Sequence, residues 1–139
     1  MPVSDSLGMI EGLASIQSRF GPKETMDRLE TEIRANGMDV FARIDHAAGA
    51  ARVGLTLPPT EVIIFGNARG GTPLMQSVQT VGIDLPLKVL VWQDASGKTW
   101  LSYNEPGWIA QRHAIANKDA VLSKMNDMLG AMAKKAANG

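Results

Sequence analysis

Leu87-Lys-Val-Leu-Val-Trp92, Asp94-Ala-Ser-Gly97 and Thr99-Trp-Leu-Ser-Tyr103 follow one another in the second half of the chain. Two runs rich in β-branched and aromatic residues flank a short turn containing glycine, the pattern of an antiparallel hairpin. Upstream, Val62-Ile-Ile-Phe65 is apolar on both faces and β-branched at three of its four positions. That composition predicts an interior strand, covered on both sides, at the centre of the sheet.

Working outward, Leu13-Ala-Ser-Ile-Gln-Ser18 reads as a short strand. Gly21-Pro22 then opens a helix with proline in its first turn, where the missing N–H costs nothing. Met26, Leu29 and Ile33 supply its buried stripe, and Asn36-Gly37 stops it. Residues 38 to 44 alternate as a strand, with Val40, Ala42 and Ile44 expected on one face. Residues 47 to 53 form a short helix that Asp45 or His46 could cap before Pro58-Pro59. Thr72-Pro73 is expected to cap and open a further short helix, and Leu85-Pro86 ends that region. After Glu105-Pro-Gly-Trp108 the chain turns helical, and Val121, Met125, Met128 and Met132 mark the inner stripe of a terminal helix. This order predicts an α+β domain: a mostly antiparallel sheet of about five strands with helices on one face.

Charge and composition exclude several classes of function. The chain has 139 residues, 45% of them hydrophobic, which fits one domain of ordinary size. Fourteen basic residues balance fourteen acidic ones, so no long-range field attracts nucleic acid or an anionic membrane. Without cysteine there is no disulfide, no thiolate metal site and no cysteine nucleophile. No stretch approaches the roughly twenty apolar residues of a membrane span. The first residues lack both a basic region and an apolar run, so a cytoplasmic location is expected, with the periplasm open if a leader has been removed. Residues 1–11 are expected to be a flexible terminus, 12–135 a single domain and 136–139 a frayed end. The sequence designates no cofactor.

Gly37-Met-Asp-Val-Phe-Ala-Arg-Ile-Asp-His-Ala-Ala48, Leu57-Pro-Pro-Thr-Glu-Val-Ile-Ile-Phe-Gly-Asn67, Gly71-Thr-Pro-Leu-Met75, Asp84-Leu-Pro-Leu-Lys-Val-Leu-Val91 and Ser102-Tyr-Asn104 with Pro106 resemble the bacterial domain of unknown function 302 (DUF302) family. The resemblance spans roughly residues 13 to 115. It implies a TATA-box-binding-protein-like fold and a homodimer, and it implies no agreed activity. Where the family pattern continues Gly-Asn-Pro, this chain has Gly66-Asn67-Ala68.

Two places hold candidate site residues. Asp45-His46 ends a strand, and a histidine oriented by a carboxylate is suited to proton transfer, which makes His46 the candidate catalytic residue. Adjacent strand residues point to opposite faces, however, and the alternative is that His46 caps the helix or satisfies a buried carbonyl. Gly66-Asn-Ala-Arg-Gly-Gly-Thr-Pro73 joins a strand to a helix, where free backbone N–H groups and Arg69 could hold a carboxylate or phosphate. It lacks both the Walker and the dinucleotide spacing, and as structure its glycines are turn residues. His113 is expected on the solvated surface. Met125, Met128 and Met132 are core by spacing, with a thioether copper site as the alternative; no metal site is expected. If Leu90 and Trp92 face away from the helices, a second subunit is the simplest cover for that face.

The leading functional expectation is a homodimeric domain that binds or senses a small molecule or anion. Its pocket is expected to draw on His46, Asn67, Arg69, Gly71, Thr72 and Tyr103. An enzyme using His46 as acid or base and a protein–protein interaction module are the alternatives.

Overall fold

The computed structural model describes residues 10–139, so most of the expected loose N-terminus lies outside the described residues. Five strands, β1 (Leu13–Ser18), β2 (Asp39–Asp45), β3 (Thr60–Gly66), β4 (Leu87–Gln93) and β5 (Thr99–Asn104), form one sheet. Their order is β1-β5-β4-β3-β2, with every neighbouring pair antiparallel. The helices are α1 (Pro22–Ala35), α2 (His46–Arg52), α3 (Ala68–Ser77), α4 (Pro106–Arg112) and α5 (Asp119–Asn138), and a 3-10 turn spans Gln79–Ile83. The protein is therefore an α+β fold.

α1 follows the sequence rule closely. Extended Gly21 leads into Pro22 at the first helical position, and Met26, Leu29 and Ile33 are wholly buried. Gly37 then takes a left-handed φ of +75° and turns the chain into β2. α1 and α5 pack on each other and on one face of the sheet, where Ile63, Phe65, Val89, Val91 and Leu101 complete the core. Burying each such side chain stabilises the fold by about 1.5–3 kcal/mol before conformational entropy is charged against it.

The hairpin forms as its sequence implies, with Val89 opposite Tyr103 and Trp92 opposite Trp100. Asp94 shapes the turn by accepting from the N–H groups of Ser96 and Lys98, each at 2.9 Å. It also accepts from Trp100 Nε1 at 2.9 Å, and this bond above all holds the carboxyl down at about 2.

Four expectations change. β4 lies at the centre of the sheet, and β3 lies one place towards the edge. β3 is also covered on one face only: Ile63 and Phe65 are buried, while Val62 and Ile64 are half-buried because the helical layer occupies the other side. In β2 a bulge between Val40 and Ala42 breaks the alternation, so Val40 joins the helix-side core and Ala42 and Ile44 turn to the far face. The chain end is not frayed. α5 continues to Asn138, Ala136 and Ala137 are fully buried, and Arg19 N–H donates to the Ala137 carbonyl at 2.8 Å.

Arg43 fastens the edge strand β2 to its surroundings. Its guanidinium donates to both carboxylate oxygens of Glu61, at 2.8 and 3.0 Å, and to Asp27 and Glu30 of α1 at 3.1 and 3.0 Å. These bonds push the guanidinium pKa further up and help hold the Asp27 and Glu30 carboxyls below their usual range.

Candidate functional site

The site is built where β3 runs out. Asn67, in extended conformation, caps α3 by accepting from Gly70 N–H at 2.7 Å through its side chain. The helix therefore starts at Ala68, five residues before Pro73, which lies inside it and not at its opening. The expectation that Thr72 caps this helix is corrected accordingly. The N–H groups of Gly70 and Gly71 are both taken by Asn67, so the glycines are helical residues and not a free anion-binding loop.

Past α3, the 3-10 turn and a cis Leu85-Pro86 bond bring the chain back to β4. These segments, with Met38 and Phe41 of the β2 region and the first half of α5, line a cavity of about 680 Å³. Its walls carry Met75, Leu85, Leu87, Val121, Met125 and Met128. Asn67, Arg69, Thr72 and Lys124 line it too, and all four are exposed, so they stand at its mouth. Glycines make room here: a Cβ added at Gly82 would lie 3.3 Å from Met75 Sδ, and one at Gly71 3.6 Å from Leu85 Cδ1.

Of the six residues singled out from sequence, Asn67, Arg69, Gly71 and Thr72 line this cavity. His46 does not. Asp45 pairs with Glu61 at the start of β3, whereas Gly66 pairs with Asp39 at its end. The histidine is thereby separated from Asn67 by roughly 17 Å of strand. It is the first residue of α2 and exposed, and the cap of that helix is Asp45, which accepts from Ala48 N–H at 2.9 Å. The Asp45 carboxylate is thus spent on the backbone. Tyr103 also lies away from the cavity lining: it is half-buried on the helix side of β5, near Gly130 of α5. Burial first, then the nearby Glu105 charge, raises its phenol.

The histidine with partners is His113, and its expected solvated position is corrected. Its side chain is 9% exposed, with Nε2 2.5 Å from Asp84 Oδ2 and Nδ1 3.0 Å from Thr80 Oγ1. Arg112 reaches both oxygens of the same carboxylate at 2.9 Å. This cluster clasps the 3-10 turn, one wall of the cavity, to the end of α4. Nothing in the local sequence announces it, because its members lie about thirty residues apart. Trp108 covers Gly12 at a second cavity of about 510 Å³, alongside Glu105, Gln111 and Asn126. Met125 and Met132 are buried, as a core stripe requires, and no cluster of three or more His, Asp or Glu suited to a metal occurs among the described residues.

A five-stranded antiparallel sheet with helices on one face, and a cavity at the β3–α3 junction, define the class as an α+β domain with a cleft at the edge of its helical layer. The chain belongs to the DUF302 family, "Domain of unknown function DUF302", whose model matches residues 14–132. A solved structure described as the uncharacterized conserved protein DUF302 from Bacillus stearothermophilus shares the fold, with a TM-score of 0.82 at 19% identity, covering 91% of this chain and 98% of that one. Among curated relatives, the "Fluoride-specific ion channel FluC 1" of Brucella suis biovar 1 (strain 1330) is 47% identical over 127 residues, 91% of this chain and 50% of the relative. The protein of the same name from Brucella abortus biovar 1 (strain 9-941) is likewise 47% identical, with 47% of its length covered. The chain thus spans about half the length of the curated relatives it matches. No helix among the described residues is long and apolar enough to cross a membrane.

Proposed function

We propose that the protein is a domain that binds or senses a small ligand, held in the cavity between α3 and α5. One observation carries this reading: a concave space of about 680 Å³, within the range of ligand sites, combines apolar walls with a few polar groups at its mouth. Asn67 and Thr72 offer hydrogen bonds, and Arg69 and Lys124 offer positive charge. A catalytic role for His46 draws no support from its setting, since it stands at the far end of β3 with its neighbouring carboxylate already bonded.

The same reading includes a homodimer. Ile44, Val62, Ile64, Leu90 and Trp92 lie on the sheet face opposite α1 and α5; Ile44 is 44% exposed and the others are half-buried. A second copy covering this face accounts for apolar side chains that the helical layer does not reach. Leu90→Glu should convert a dimer to a monomer in light scattering. A monomeric wild type would remove the dimer and leave the cavity reading intact.

The deciding experiment is a thermal-shift screen of carboxylates, phosphates, halides including fluoride, nucleotides, haem and metals on wild type and Arg69→Gln. Fluoride has its own arm because it is the ion in the Brucella relatives' name. A ligand at one hundred times its Kd should stabilise the fold by about 2.7 kcal/mol. A hit weakened by Arg69→Gln supports the cavity as the site. No hit from any class, with both proteins folded, refutes it.

A further inference from the structure

Resting on the cavity as the ligand site, we infer that its ligand is an amphiphile: a flexible apolar body ending in one anionic group, such as a medium-chain carboxylate. The walls and the mouth of the cavity each argue for one half of that molecule.

Four methionines, Met38, Met75, Met125 and Met128, line the space, half of the chain's eight. Unbranched thioether side chains adapt to a partner that has no fixed shape, which suits an alkyl chain better than a rigid ring. A small inorganic anion would leave these walls and most of about 680 Å³ without a partner. Among the described residues, the charged ones lining the cavity are Arg69 and Lys124, and no carboxylate lines it. Neither cation takes part in an ion pair among the described residues. The protein as a whole is electrically balanced, so this positive mouth is a local feature that selects an anionic end group. A cuprous ion would suit the thioethers but would enter past two positive charges with no compensating carboxylate.

Isothermal titration with hexanoate, octanoate, decanoate, octanol, octylamine, acetate and phosphate tests the inference, each below its aggregation concentration. Each added methylene should tighten binding about fourfold, so decanoate should bind about fifteen times more tightly than octanoate. Octanol and octylamine should bind at least ten times more weakly than octanoate. Arg69→Gln/Lys124→Gln should bring octanoate down to the level of octanol. Both positions are exposed, so this variant should fold. Methionine ε-methyl resonances of Met38, Met75, Met125 and Met128 should shift on binding, while those of Met26 and Met132, which do not line the cavity, stay in place. Equal affinity for acetate, phosphate and octanoate would overturn the inference and leave the cavity as an anion site. Equal affinity for octanol and octanoate would overturn the charged half. If the amphiphiles fail and another class succeeds in the wider screen, this inference falls alone; if every class fails, the ligand-site reading falls with it.

Discussion

Gly12 and Gly37 share a backbone conformation, with φ of +76° and +75°, but not an environment. A Cβ built on Gly12 would lie 2.2, 2.4 and 2.6 Å from Trp108 Cγ, Cδ2 and Cδ1, whereas one on Gly37 would meet nothing within 4 Å. Alanine at either position bears the left-handed penalty of about 1 kcal/mol. At Gly12 the indole must also retreat by about 1 Å, an overpacking that costs about 1–3 kcal/mol more. Gly12→Ala should therefore destabilise by about 2–4 kcal/mol and Gly37→Ala by about 1 kcal/mol. In a chain of this size the first corresponds to a fall in Tm of about 7–15 °C and the second to about 4 °C. Urea denaturation followed by circular dichroism measures both. A double-mutant cycle with Trp108→Ala should show a coupling of about 1–3 kcal/mol, since removing the indole removes the clash. Equal cost for the two glycine variants, or no coupling, would refute the packing of Trp108 over Gly12.

Two other perturbations read the polar framework. Asp45→Ala should destabilise by about 1 kcal/mol through loss of the α2 cap, while His46→Asn should leave Tm within about 2 °C; a larger loss from the histidine would show that it, and not Asp45, holds the helix start. The Asp94 carboxyl is held at about 2 by its hydrogen bonds, against an ordinary value of 3.8. A depressed carboxylate pKa stabilises the fold above the ordinary value and loses that contribution as pH falls through the depressed one. The urea midpoint gap between wild type and Asp94→Asn should therefore be constant at neutral pH and shrink between about pH 4 and pH 2. A gap that does not change with pH would place the Asp94 bonds outside the stabilising set.

How legible the candidate site was depended on distance along the chain. Asn67, Arg69, Gly71 and Thr72 lie within six residues of one another, and a strand running into glycines and a helix is a local pattern that marks a surface depression. The start of α3 is misplaced by local reading: the Thr72-Pro73 pair suggests a helix opening there, whereas the Asn67 side chain accepts from Gly70 N–H and the helix begins at Ala68. His46 drew attention as a histidine at a strand end, yet the antiparallel run of β3 carries it to the opposite end from the cavity. His113 was expected on the solvated surface, because Thr80 and Asp84 reach it only after β4 and β5 have folded the chain back.

From its residues alone the chain determines its elements. Periodicity, caps and turns act over a few residues, so Met26, Leu29 and Ile33 declare α1, and Asp94 to Gly97 declare the hairpin. The lack of cysteine excludes thiol chemistry whatever the fold. Tertiary structure decides what those elements share. Pairing of Leu13–Ser18 with Thr99–Asn104 closes the sheet across more than eighty residues and puts β4 at its centre. A single bulge in β2 reassigns Val40 and Ile44 to opposite faces. The cavity needs Met38, Met75 and Met125 from three separate segments, which only the folded chain brings together and no local pattern encodes.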